Sequence, residues 1–71
     1  MQNDTSVSFP NILRAMSSAG LNKKELAFRL GVSMSTLYRR LNGVTQFRWN
    51  ELQSLHTLFP DIPVSLLIER T

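Results

Sequence analysis

Seventy-one residues with a net charge of +3 and 42% hydrophobic content amount to one domain, near the lower size at which a single apolar core holds a fold together. With no cysteine there is neither a disulfide framework nor a thiolate metal site, and no apolar run approaches a membrane span. The first residues lack the basic and apolar parts of a signal peptide, so the expectation is a soluble protein in a reducing cytosol.

Residues 1–7 are polar and without periodicity, which predicts a flexible amino-terminal arm; it carries Asp4 and no Arg or Lys, unlike arms that enter minor grooves. Residues 8–71 are expected to form the single folded domain. From Ser8 onward, Pro10 in a first turn, Gly20 past an end, and Phe9, Ile12, Leu13 and Met16 on one side predict helix one. Asn22 and Glu25 are spaced as a capping box, with Leu21 and Leu26 as its hydrophobic staple, and Gly31 can close the helix after Leu30. This is helix two. Ser33 offers the next cap oxygen, flanked by Val32 and Leu37 at staple spacing, and Asn42-Gly43 supplies the stop, which predicts helix three over 34–42. Leu26, Leu30, Leu37 and Leu41 turn inward together, and Ala27 is small where helix three crosses helix two. Two short capped helices joined by one tight turn spell a helix-turn-helix.

After the loop that starts at Val44, the stripe Leu52, Leu55, Leu58 and Phe59 predicts helix four, ended by Pro60. Pro63 is placed to open a short helix five through Ile68. Phe47 and Leu52 keep the staple spacing, yet the cap position between them is Arg48, which has no acceptor. Arg48 is either a phosphate ligand or a solvated loop arginine. No period-two alternation competes, so the fold class is all-α with five helices.

Charge is unevenly placed. Lys23, Lys24, Arg29, Arg39, Arg40 and Arg48 lie within 23–48 against Glu25 alone, while Asp4, Glu51, Asp61 and Glu69 outnumber Arg14 and Arg70 elsewhere. A solvated face is the ordinary meaning of such a cluster; its coincidence with the capped helix pair favours a polyanion-binding surface. Catalysis has little to work with: His56 is the one histidine, no nucleophile motif surrounds it, metal ligands are unpaired, and no glycine-rich phosphate loop exists. No enzyme activity, cofactor, metal or small-molecule substrate is expected.

Ala27, Gly31 and Leu37, with Gly20-Leu21 ahead of them and Phe47, Glu51 and Leu52 behind, make the segment from Phe9 to Ile68 resemble the Cro and lambda-repressor-like (XRE) helix-turn-helix family of phage and bacterial regulators. Lys23 stands where that family often has glutamine, and Arg40 where it usually has an apolar residue, so the outer edge of helix three is expected to pack less deeply. The resemblance implies a compact lambda-repressor-like bundle that binds double-stranded operator DNA in the bacterial cytosol, at the nucleoid. It implies a transcriptional repressor acting as a homodimer. Trp49, Phe59, Ile62, Val64, Leu67 and Ile68, in and around helices four and five, hold more apolar surface than the core needs; core packing is the ordinary meaning of such residues, and a homodimer contact through part of them is the functional expectation.

With Leu37 and Leu41 inward, Ser35 and Arg39 point directly away, flanked by Met34, Tyr38 and Thr36. Met34, Ser35, Tyr38 and Arg39 are the candidate base readers, Arg39 first because its planar fork matches the two acceptors of guanine. Lys23, Lys24, Ser33, Thr36, Asn42, Thr45, Gln46 and Arg48 surround them as candidate phosphate contacts, which set register rather than sequence. The rival expectation is a protein-interaction module of antitoxin or anti-activator type that keeps the helix pair and uses it to hold another protein, supported by the apolar carboxy-terminal part. One consequence tests the helix crossing itself. Ala27→Leu is expected to overpack it and cost about 1–3 kcal/mol, read as a lowered melting temperature; an unchanged one counts against the crossing.

Overall fold

Gly31 sits between the two helices of the motif at φ 73°, a left-handed conformation that a residue with a side chain adopts only at a cost. Nothing lies within 4 Å of where its β-carbon would be, so backbone conformation, rather than space, demands glycine there. Its N–H donates to the Phe28 carbonyl (3.1 Å) and the N–H of Val32 reaches back to Ala27 (3.0 Å), the paired bonds of a Schellman stop. Gly20 and Gly43 repeat the device, with Leu21 N–H on Met16 O and Val44 N–H on Arg39 O, both at 2.9 Å.

Between these stops the computed structural model, which describes residues 9–70, contains five helices: α1 (Pro10–Ala19), α2 (Lys23–Leu30), α3 (Met34–Leu41), α4 (Trp49–Leu58) and α5 (Val64–Leu67). The order and bounds agree closely with the sequence expectation; the arm at 1–7 lies outside the described residues. Both expected caps of the motif form. Asn22 Oδ1 accepts from Glu25 N–H (2.8 Å) while Glu25 Oε1 accepts from Asn22 N–H (3.0 Å), and Ser33 Oγ accepts from Thr36 N–H (3.2 Å). Among the described residues no helix is long and apolar enough to cross a membrane.

Each helix contributes one fully buried side chain to a common core: Ile12, Leu26, Leu37, Leu55 and Leu67. Phe9, Ala15, Met16, Ala27, Leu30, Leu41 and Phe59 complete it. α2 packs on both α3 and α4, and α5 packs on both α1 and α4. Asn11 Nδ2 donates to the Leu66 carbonyl (2.8 Å), and Phe9 meets Phe47 edge-on at 5.5 Å between ring centres.

Two expectations are corrected. Leu13 is exposed, because the inward stripe of α1 runs through Phe9, Ile12, Ala15 and Met16 and leaves position 13 at its edge. Arg40, expected on a shallow outer edge of helix three, is instead buried at 8% exposure. Its guanidinium is paired with Glu51 (2% exposed), Nε to Oε1 at 2.8 Å and Nη2 to Oε2 at 3.3 Å, and Nη1 also donates to Thr45 Oγ1. Position 40 is apolar in depth and ionic in chemistry, so the same inward place is filled by a charge that brings its partner.

That fork-to-fork geometry fixes the ionisation of both groups. The hydrogen bond from Arg40 holds the Glu51 carboxyl below its ordinary range; burial works the other way, and the Arg48 N–H and the neighbouring positive charges add to the lowering. Arg40 is pushed up, first by its hydrogen bond to Glu51. Glu51 therefore contributes stability above the ordinary glutamate value and loses it as pH falls through its depressed one. Glu51→Gln alone is expected to cost about 3–5 kcal/mol in urea denaturation, because it strands a buried arginine. The double change Arg40→Leu/Glu51→Leu is expected to stay close to the unaltered protein in stability and to lose part of its acid sensitivity.

Candidate nucleic-acid interface

α3 is amphipathic in the sense a reading helix needs. Leu37, Arg40 and Leu41 hold one side in the protein, Ser35 and Arg39 stand exposed opposite them with Tyr38 exposed at the flank, and Met34, one turn before Leu37, is exposed at the edge of the inward side. All four expected base readers are thus at the surface, without sharing a single face. Among the described residues no hydrogen bond or ion pair engages the Arg39 guanidinium. Its backbone, by contrast, is tightly used: the Arg39 carbonyl accepts from both Val44 (2.9 Å) and Thr45 (3.3 Å), which fastens the following loop to the last turn of the helix. Arg39 and Arg40 also place positive charge at the helix carboxy terminus, where the helix dipole favours it.

The surrounding residues divide by how far their polar groups are already committed. Lys23 opens α2 and holds its ammonium 5.2 Å from the centre of the Tyr38 ring, linking the two helices through a cation–π contact. Lys24 is exposed one position on. Ser33 Oγ, besides capping α3, donates to Thr36 Oγ1 (3.0 Å) and lies 3.2 Å from Ser35 Oγ, so three expected contact residues form one hydroxyl cluster at the amino end of α3. Thr36 is half-buried there. At the other end, Asn42, Gln46 and Arg48 are exposed and Thr45 is half-buried with its oxygen accepting from Arg40. Arg48 occupies the cap position of α4 with its backbone N–H bonded to Glu51 Oε1 (3.0 Å), leaving its side chain outward.

Two residues absent from the expected site set organise one end of it. Arg40 stands beside the recognition face without being on it, and Glu51 connects it to Arg48. Each carries a sequence signal by itself: Arg40 falls on the inward side three residues after Leu37, and Glu51 sits at the third position of a helix whose cap residue cannot accept. What neither signal contains is that the two side chains meet.

The apolar residues expected at a dimer surface separate into two groups. Phe59 and Leu67 belong to the core and Ile62 and Val64 are half-buried, Ile62 against that core, whereas Trp49 is 74% exposed and Ile68 is at the surface. Phe28, on α2, is 81% exposed, a feature that sequence periodicity did not bring out.

No curated protein and no solved structure matches the chain. The family described as bacterial regulatory protein, Fis family, matches residues 6–42, which takes in α1, α2 and α3 and stops before α4. It is a helix-turn-helix match, and it is to a different family from the Cro and lambda-repressor-like one that the spacing resembles. Covering just over half of the chain and both helices of the motif, it shows that the chain belongs to the Fis family of bacterial regulatory proteins, a helix-turn-helix family of DNA-binding transcription regulators.

Proposed function

We propose that this protein is a sequence-specific regulator that lays α3 in the major groove of duplex DNA and reads bases with Arg39, Ser35, Met34 and Tyr38. The observation that carries this reading is the Arg39 side chain, exposed on the face opposite Leu37 and Leu41 and unengaged among the described residues. Arg39 presents its fork to guanine, Ser35 meets a base or phosphate, and Met34 meets a thymine methyl. Lys23, Lys24, Ser33, Thr36, Asn42, Thr45, Gln46 and Arg48 contact phosphates on either side and set the register.

A domain of this size covers few base pairs, so it acts as a homodimer on half-sites about one helical turn, ~34 Å, apart, and represses by occupying a two-fold operator. Exposed Trp49 and Ile68 support a contact through α4 and α5. The presence of two further helices after the recognition helix, with Phe47, Glu51 and Leu52 at the opening of α4, supports the finer likeness to Cro and lambda-repressor-like regulators, in a part of the chain that the family match leaves out. Exposed Trp49 and Phe28 favour a second reading, in which the domain docks another protein.

Arg39→Ala is expected to cost about 1–3 kcal/mol on the preferred site, selected from random oligonucleotides, and to relax preference at one base pair. Equal losses on preferred and random DNA would assign Arg39 to phosphate alone. Affinity for random duplex is expected to fall linearly in log–log form as salt rises, through counterion release. A flat response, or no binding at either of two salt concentrations, favours the protein-docking reading.

A further inference from the structure

Two residues of the α3–α4 connection, Thr45 and Arg48, are tied to a single buried charge pair. Arg40, on the last turn of α3, spreads its guanidinium over two targets, the Glu51 carboxylate and Thr45 Oγ1. Glu51, on the first turn of α4, spends Oε1 on Arg40 Nε and on the backbone N–H of Arg48. The loop 42–48 is therefore pinned at its middle and at its far end by one arginine–glutamate unit, while its near end hangs from the Arg39 carbonyl. The pinned loop is the one that carries Asn42, Thr45, Gln46 and Arg48.

Core apolar packing does not require this chemistry. An aliphatic side chain at position 40 fills depth without specifying where the loop goes, and buried ion pairs can commonly be exchanged for apolar residues without loss of stability. A fork that bonds one side chain on the loop and one on the next helix instead fixes direction as well as depth. On the reading proposed above, the side chains held this way face phosphates on the same duplex whose bases meet Arg39.

We infer that Arg40 and Glu51 are positioning residues for DNA binding: their buried pair sets the distance between the reading face of α3 and the phosphate-contacting loop 42–48, without touching DNA. This rests on the DNA-binding reading and assigns the pair a role in affinity separable from its role in folding. Losing Glu51 alone raises the net charge, and the long-range attraction this adds opposes the weakening from lost positioning, so the informative variants keep the net charge constant.

The test uses the full chain carrying Arg40→Leu/Glu51→Leu, which leaves net charge unchanged, alongside Arg40→Lys, which keeps the charge but cannot bond Glu51 as a fork and also reach Thr45. Each is titrated with random and preferred duplexes over a salt series at a temperature where circular dichroism shows it fully folded. For the double variant, binding to both duplexes is expected to weaken about three- to tenfold, with a salt slope shallower by about one and base preference retained. Arg40→Lys is expected to weaken binding about two- to fivefold in the same pattern, and it decides the matter should the double variant fail to fold. Unaltered affinity and slope in a folded variant overturn the inference while leaving the DNA-binding reading intact. Absence of binding by the unaltered protein overturns both.

Discussion

Burial of Leu37 and Leu41 against the rest of the core fixes the rotation of α3 about its own axis, and nearly everything else at the surface follows from that rotation. A helix turned by one position carries a different set of side chains outward. With those two leucines inward, Ser35 and Arg39 face directly away from the core, Tyr38 lies exposed at the flank, and Met34, at 36% exposure, lies at the edge of the inward side. Ala27 is buried on the inner side of α2, which packs on α3, and Lys23 above the Tyr38 ring adds a lateral contact between the two helices. The reading face is thus defined by what lies behind it.

The ends of α3 are governed by different chemistry. At its amino end the Ser33, Ser35 and Thr36 hydroxyls form a small cluster around the cap, neutral and local in sequence. At its carboxy end Gly43 turns the chain, and a buried ion pair then captures the turn. The first arrangement starts a helix; the second joins two.

Much of this was readable from the sequence because the instructions are local. Asn22 and Glu25, Ser33, Gly31 and Gly43 act within a few residues of themselves, so their spacing alone foretold the caps and stops that form. The inward leucines were equally legible, since 3.6-residue periodicity leaves few options once the helix ends are known. Leu13 was misplaced because a helix eight to ten residues long has no sharp boundary to its apolar side. Arg40 and Glu51 escaped for another reason: their partnership spans eleven residues and a change of helix, and nothing in the spacing of either announces the other. The narrower family likeness rests on Ala27, Gly31 and Leu37 together with the opening of α4, whereas the family match covers residues 6–42 and stops before α4.

Helix α5 is four residues long, yet Leu67 is as deeply enclosed as any side chain in the domain, and α1 leans on that helix through Asn11 and the Leu66 carbonyl. The helix-turn-helix pair is consequently not an autonomous thermodynamic unit. Ile12 and Leu26 share their enclosure with Leu55 and Leu67, so the segment common to the family cannot be expected to keep its shape when excised. During synthesis, a ribosome that has delivered residues 6–42 has delivered the motif but not the core around which it closes. The core is complete only with Leu67.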